Sequence, residues 1–281
     1  MVKITPEELK TISKYIRDAC GIVLDSSKAY LVETRLSRLM EEVRCASFGE
    51  LVKKAQADVS RMLQRKIIDA ITTNETLFFR DGSPFEMFQY KILPEVLDRK
   101  KAAAKLKPVA PRVRIWSAAC STGQEVYSIA ILIKELLPPS ERFQFSILGT
   151  DISDAAIAQA SYGQYNKFEI ERGLPQEKLR KYFTLSGATW KIKDEIRAMA
   201  SFKKHNLMDP MVGLGKFDII FCRNVAIYFA PEDKTRVFNK IADALEPPGY
   251  LIIGSSESLT GISTRFEVKR HVRSMFYQLK T

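Results

Sequence analysis

The chain has 281 residues, 46% of them apolar, which is enough for one large and one smaller domain with a real core. Its net charge of +11 predicts attraction to an acidic partner, either a nucleic acid, an anionic lipid or an acidic protein surface. The longest apolar runs are strand-sized and no signal-peptide pattern is present, so we expect a cytoplasmic protein that does not insert into the membrane. Four scattered cysteines and two histidines disfavour a disulfide framework or a metal site.

Residues 1–74 are predicted to form a small all-helical domain. Their apolar residues recur at helical spacing, with almost no alternation typical of strands. Helix starts are marked by Thr5 before Pro6, and by Ser47 with Glu50 three residues later, which has the form of a capping box. Residues 75–108 are predicted to form a lid, a helix over 84–99 and a charged linker over 99–108.

Residues 109–281 are predicted to form an α/β domain with a doubly wound, Rossmann-like sheet, because short apolar runs alternate with helical patterns. A small antiparallel β-subdomain is expected at about 182–202, where Gly187 and Ala188 separate two short segments like a tight hairpin. The predicted strands are 113–117, 145–150, 217–222, 250–253 and 275–279. The predicted helices of this domain are 123–137, 154–161 and 231–245.

Two polar features follow the first two predicted strands, where a doubly wound sheet binds its ligand. The loop after the first strand has one glycine, Gly123, where a dinucleotide fingerprint has three, so pyrophosphate binding is disfavoured. Asp151 ends the second strand and is placed to accept hydrogen bonds from a ribose diol, although an N-cap of the next helix is the alternative. A single glycine and a strand-end acid together fit S-adenosylmethionine, which has a ribose but no phosphate.

Two further segments supply candidate site residues. Asn224 follows the third strand and is expected to face the same cleft, whereas Phe229 reads better as a core aromatic. The segment 72–81 joins the two domains and carries a polar cluster, two aromatic residues and Arg80. Arg80 is suited to hold a carboxylate by a charge-assisted fork, and the alternative is a capped helix start with a solvated arginine.

Together these segments resemble the CheR family of chemotaxis-receptor methyltransferases. The matching elements occur in family order and cover nearly the whole chain: TTNETLFFR (72–80), IWSAACSTGQEVYSIA (115–130), GTDIS (149–153), HNL (205–207), FDIIFCRNVAIYF (217–229) and GYLIIGSSESL (249–259). The sequence departs from the family at Gln124 and Val126, within its usual GEEPYS, and at Ala226, where a bulky residue is usual.

The resemblance implies a Rossmann-like methyltransferase that uses S-adenosylmethionine, without a metal, to methylate receptor glutamates. It implies that Asn74, Thr76 and Arg80 close over the cofactor, and that Glu125 meets its methionine end. It implies further that Asp151 holds the ribose, that Asn206 and Leu207 border the adenine, and that Asn224 and Val225 line the floor. Arg80 and Tyr228 are the residues implied to lie nearest the transferred methyl group, which makes them the catalytic candidates.

The resemblance also implies a partner, the helical bundle of methyl-accepting chemotaxis receptors, docked by the basic N-terminal domain of a monomeric enzyme. Because the predicted hairpin over 185–192 leaves little chain for an additional loop, we expect that a receptor C-terminal peptide is not required as a tether. Two alternatives remain: a non-catalytic module that binds S-adenosylmethionine, and a nucleic-acid methyltransferase. The second is disfavoured because RNVAIY stands where an NPPY-like clamp is usual.

Overall fold

A computed structural model describes residues 3–104, 110–138, 140–272 and 274–280. Its first four helices are α1 (Pro6–Cys20), α2 (Ala29–Glu42), α3 (Phe48–Ala57) and α4 (Met62–Ile71). Thr5 and Glu8 form a reciprocal capping box at the start of α1. Ser47 caps α3, but the Glu50 carboxylate accepts from the Ala46 N–H rather than from Ser47. The predicted all-helical unit is therefore present, and its helices share one apolar core.

The next helical stretch links this unit to the sheet. It consists of α5 (Ser83–Met87), a π-helical turn (Phe88–Ile92) and α6 (Leu93–Ala104). The predicted helix over 84–99 is thus confirmed, with a longer C-terminal end. Of the predicted linker, residues 105–108 lie outside the described residues.

A seven-stranded sheet forms the centre of the larger unit. Its strands are β1 (Arg112–Ala118), β2 (Gln144–Asp151), β6 (Ala200–Lys204), β7 (Phe217–Cys222), β8 (Leu245–Ile253), β9 (Phe266–His271) and β10 (Ser274–Leu279). Their order across the sheet is β6-β2-β1-β7-β8-β10-β9. The first five strands in that order run parallel, and β10 and β9 are antiparallel to their neighbours. All five predicted strands are present, whereas β6 and β9 were not predicted.

Helices cover both faces of this sheet, which confirms the doubly wound architecture. Side chains of α7 (Gln124–Leu136) belong to the apolar core on one face, and those of α12 (Pro231–Ala244) to the core on the other. α8 (Asp154–Tyr162) follows β2. No helix among the described residues is both long enough and apolar enough to cross a membrane.

A second sheet has three antiparallel strands, β3 (Gln164–Asn166), β4 (Phe183–Ser186) and β5 (Thr189–Ile192), in the order β3-β5-β4. The short helices α9 (Lys167–Glu171), α10 (Gln176–Tyr182) and α11 (Asp194–Arg197) lie next to these strands in the chain. The predicted hairpin is confirmed, since Ser186 pairs with Thr189 across the turn. The predicted extent of 182–202 is wrong at both ends. β3 lies further upstream and is too short and polar to be recognised, and residues 200–204 pair in parallel with β2 in the large sheet.

The topology determines where a ligand can bind. β1 lies between β2 and β7, and the chain leaves β1 toward β2 before it returns to β7 on the other side. The loops that follow these strands therefore separate at the carboxyl edge of the sheet and leave a crevice.

Candidate active site

A cleft lies at this carboxyl edge, between the sheet and the helical unit. All ten site residues predicted from the sequence line it: Asn74, Thr76, Arg80, Glu125, Asp151, Asn206, Leu207, Asn224, Val225 and Tyr228. Phe229, expected to be a core aromatic, is buried and also contributes to the wall.

Asp151 lies at the end of β2 and is only 6% exposed. Its Oδ2 accepts from the Ser121 N–H at 2.8 Å, and its Oδ1 accepts from the Ser153 N–H at 3.0 Å. Burial raises the pKa of Asp151, while these two hydrogen bonds oppose that increase. The N-cap of α8 is Ser153, whose Oγ accepts from the Ala156 N–H, so the capping alternative for Asp151 is wrong. The remaining lone pairs of the carboxylate leave it able to accept from a diol.

The turn after β1 lines the cleft through Ala119 and Ser121, whereas Gly123 was expected to bring the backbone close to a ligand. Ala119 and Ser121, which line the cleft, have φ values of 59° and 50°, in a region that residues with a Cβ rarely adopt. Gly123 is not part of the lining. A Cβ added there would lie 2.9 Å from the Cβ of Ala160, so this glycine allows α8 to pack closely rather than a ligand to approach.

The loop after β6 forms a second wall. The Asn206 amide donates to the Ala19 carbonyl at 2.8 Å and accepts from the Met208 N–H at 3.0 Å, so this side chain joins the helical unit to the sheet. His205 Nε2 is buried and has no partner among the described residues, and burial lowers the pKa of His205. Sequence reasoning missed Lys240 on α12, whose ammonium donates to three successive carbonyls, at residues 207, 208 and 209.

The two catalytic candidates, Arg80 and Tyr228, also line the cleft. Arg80 Nη1 donates to the Glu75 carbonyl at 3.0 Å. Tyr228 is 36% exposed, and its carbonyl accepts from the Val23 N–H at 2.9 Å. Asn224 has a φ of 55°, and its N–H donates to Glu257 Oε2 at 2.7 Å. Tyr228 and Asn224 are thus held by hydrogen bonds of their backbone, which leaves their side chains available at the cleft.

Glu125 is partly buried at the floor, where each carboxylate oxygen has a partner. Oε1 accepts from the Ser117 hydroxyl at 2.8 Å, and Oε2 pairs with Arg223 Nη1 at 2.8 Å. Sequence reasoning missed Arg223. The available signal was a charged residue directly after β7, a strand whose six residues are all buried.

Comparisons with known proteins agree with this geometry. The model of the family described as "CheR methyltransferase, SAM binding domain" matches residues 74–274, and that described as "CheR methyltransferase, all-alpha domain" matches residues 7–72. The chain belongs to the CheR methyltransferase family.

Relatives of this CheR methyltransferase resemble it over nearly their full length. A chemotaxis protein methyltransferase of Vibrio parahaemolyticus is 43% identical and aligns over 99% of each chain. The chemotaxis protein methyltransferase Cher2 of Pseudomonas putida is 40% identical over 95% of each chain, and chemotaxis protein methyltransferase 1 of Pseudomonas aeruginosa is 39% identical over 95% of each. The protein is therefore an S-adenosylmethionine-dependent methyltransferase.

The residues at the cleft of this CheR methyltransferase fit its cofactor. The buried Asp151 carboxylate is suited to accept from a diol, and the Glu125 carboxylate is suited to bind the cationic amino group of a methionine moiety. Within the described ranges, no group of three or more His, Cys, Asp and Glu residues could hold a metal ion.

The helical unit of the CheR methyltransferase contributes Cys20 and Ile22 to the cleft, which sequence reasoning did not foresee. Ile22 forms an isolated antiparallel bridge with Phe229, some 200 residues away along the chain. No local pattern in the sequence signals a contact at that separation.

Proposed function

We propose that this enzyme transfers the methyl group of S-adenosylmethionine to glutamate side chains of chemotaxis receptors, giving methyl esters and S-adenosylhomocysteine. The observation that carries the proposal is the convergence of ten predicted residues on one cleft, in a chain that belongs to the CheR methyltransferase family. We further propose that the enzyme acts in the cytoplasm as a monomer.

Methyl transfer to a carboxylate requires no proton transfer by the protein. A glutamate carboxylate has an ordinary pKa of about 4.3, so at neutral pH it is already the nucleophile and needs no general base. When bound, S-adenosylmethionine supplies an electrophilic methyl group on a sulfonium. The protein must orient the carboxylate in line with that methyl group and exclude water, effects that together lower barriers by several kcal/mol.

Individual residues are assigned to these tasks as part of the proposal. Arg80 and Tyr228 orient the acceptor carboxylate beside the methyl group, where a guanidinium and a phenol can each donate a hydrogen bond. Asp151 accepts from the ribose, and Glu125 binds the amino group of the methionine moiety. The other assigned cofactor contacts are Asn74, Thr76, Asn206, Leu207, Asn224 and Val225, with Arg80 also reaching the cofactor carboxylate.

Docking on the receptor is assigned to the basic helical unit. Eight exposed basic side chains there form no ion pair within the described part of the chain: Lys10, Lys28, Arg38, Arg44, Lys53, Lys54, Arg61 and Arg65. Arg35 is committed to the protein, because its guanidinium donates to the carbonyls of Ile71 and Thr72. Unpaired positive charge on one unit would accelerate encounter with a glutamate-rich receptor bundle.

The domain division is proposed as 1–74 for docking, 75–108 for the lid, helix and linker, and 109–281 for the methyltransferase domain. The boundary between the two family matches, at residues 72 and 74, supports the first division.

A transfer assay with tritiated S-adenosylmethionine tests the function. The acceptors are a receptor cytoplasmic domain and, in parallel, RNA of matched mass concentration. We expect label on the receptor domain that is released as methanol by mild base, because a carboxyl ester is base-labile. Stable label on RNA would establish a nucleic-acid methyltransferase, and cofactor binding without label on either acceptor would establish a non-catalytic module.

A further inference from the structure

Arg223 lies between the floor of the cleft and the turn that carries Arg80. Its side chain is 2% exposed. Nη1 pairs with Glu125 Oε2 at 2.8 Å, and Nη2 donates both to the Arg80 carbonyl at 2.8 Å and to Asp81 Oδ2 at 3.0 Å. The guanidinium also lies 5.3 Å from the centre of the Phe85 ring. One side chain therefore connects β7, α7 and the turn before α5.

The turn that Arg223 holds has an unusual backbone. Phe79 and Asp81, on either side of Arg80, have φ values of 53° and 69°, which residues with a Cβ adopt rarely. Such a conformation persists only where the surroundings impose it. Here the Phe79 N–H donates to the Ser128 hydroxyl at 3.0 Å, backbone hydrogen bonds close the turn, and Arg223 adds a further pair of hydrogen bonds.

Stability alone does not account for this arrangement. Burying a guanidinium with two carboxylates costs desolvation that the ion pairs only partly offset, and apolar residues of similar volume are often as stabilising. The Nε of Arg223 is buried without a partner among the described residues, which adds to the cost. A costly charge that fixes a strained turn beside a reacting group is typical of pre-organisation.

We propose that Arg223 is a positioning residue for methyl transfer: it locks the turn from Phe79 to Asp81 so that the Arg80 side chain faces the transferred methyl group. The inference rests on the proposed role of Arg80. It predicts that loss of Arg223 affects the rate of methyl transfer more than it affects cofactor affinity, since misplacement by about 1 Å costs roughly a hundredfold.

The test compares Arg223→Met with the wild type in the receptor-labelling assay and in calorimetric binding of S-adenosylhomocysteine. We expect kcat to fall about a hundredfold, while the dissociation constant of S-adenosylhomocysteine rises less than tenfold. A folded Arg223→Met enzyme with kcat within threefold of the wild type would overturn the proposal. If the wild type labels no receptor at all, the proposed function fails instead, so the two failures are distinguishable.

Arg114 provides a matched control outside the cleft. Its guanidinium bridges two backbone carbonyls, at Leu214 and Lys216, and its Nε, like that of Arg223, is buried and unpartnered within the described residues. Arg114→Met should lower the melting temperature and leave kcat unchanged. A merely structural role for Arg223 would give the same pattern in both variants, and that result contradicts the proposal.

If Arg223→Met does not fold, a second pair of variants tests whether Arg223 positions the turn. Asp81→Ala removes one restraint on the turn while Arg223 keeps Glu125, and Asp81→Asn retains an oxygen that accepts from Arg223. We expect Asp81→Ala to lower kcat about tenfold and Asp81→Asn to restore most of it. An Asp81→Ala enzyme within twofold of the wild type, or an equal loss in both variants, would overturn the proposal.

Discussion

The two ends of the cleft are held by different kinds of contact. At the end assigned to adenosine, charged side chains bind the backbone: Asp151 accepts from two N–H groups, and Lys240 donates to three carbonyls. At the end assigned to the methyl group, charged side chains bind each other, with Arg223 between Glu125 and Asp81. A change at the first end leaves neutral groups behind, whereas a change at the second leaves a buried charge without its partner.

This difference predicts different consequences for function. Changes at the adenosine end should alter cofactor affinity, roughly in proportion to the hydrogen bonds lost. Changes at the methyl end should alter turnover, because the geometry of the reacting groups depends on them.

The largest effect is expected for Arg80→Ala. Because Arg80 lies in the lid segment and not on an apolar helix face, its loss should leave the fold intact while kcat falls about a hundredfold or more, the cost of misplacing a reacting group by about 1 Å. Receptor labelling with tritiated cofactor measures the rate, and circular dichroism checks the fold. Arg265→Ala, which loses an exposed ion pair with Asp243, is the control. Near-normal turnover of Arg80→Ala would refute the catalytic assignment.

A tenfold or larger loss of affinity for S-adenosylmethionine is expected for Asp151→Ala. The variant removes a charged acceptor, and such a hydrogen bond contributes about 1.5 kcal/mol or more. Calorimetry measures the dissociation constant. Asp154→Ala, three residues later in the first turn of α8, should bind normally because that carboxylate pairs with Lys204 on the surface. Unchanged affinity in a folded Asp151→Ala protein would eliminate the ribose assignment.

A smaller effect, about threefold to tenfold on cofactor affinity, is expected for Lys240→Met. The ammonium orders the loop that contains Leu207, and methionine keeps much of the length without the three hydrogen bonds. kcat at saturating cofactor should not change. Lys234→Met, on the same helix, is the control, since it is Lys240 that donates to the carbonyls of residues 207, 208 and 209. A fall in kcat with unchanged affinity would show that the two ends are not separable in this way.

The smallest effect is expected from a receptor C-terminal peptide. The β4–β5 hairpin turns through Gly187 and Ala188 only, so it offers no additional loop to grip a peptide, although its outer strands can still accept one weakly. Titration of the peptide should show no binding at micromolar concentrations. The prediction is wrong if micromolar binding appears and is lost when residues 185–192 are altered.

Much of the site could be predicted because it consists of short segments placed at strand ends. Once β1, β2 and β7 are recognised as parallel strands, their carboxyl ends must meet, and Asp151 and Asn224 follow directly. Glu125 was predicted only through the resemblance to the CheR family. Strands β3, β6 and β9 were missed for the opposite reason. Each is short, polar or half-exposed, and each is defined by its neighbour in the sheet rather than by its own pattern.

The sequence alone determined the helical unit, five strands of the large sheet and the positions of Asp151 and Asn224 at their carboxyl ends, because hydrophobic periodicity and parallel topology are local or nearly local properties. The other site residues were predicted through the resemblance to the CheR family. Only the tertiary structure decided how those residues are held. The partners of Arg223 lie 98 and 142 residues away along the chain, and the three carbonyls that bind Lys240 belong to a loop more than 30 residues away. Such pairings depend on how elements pack in space, which no spacing along the chain encodes.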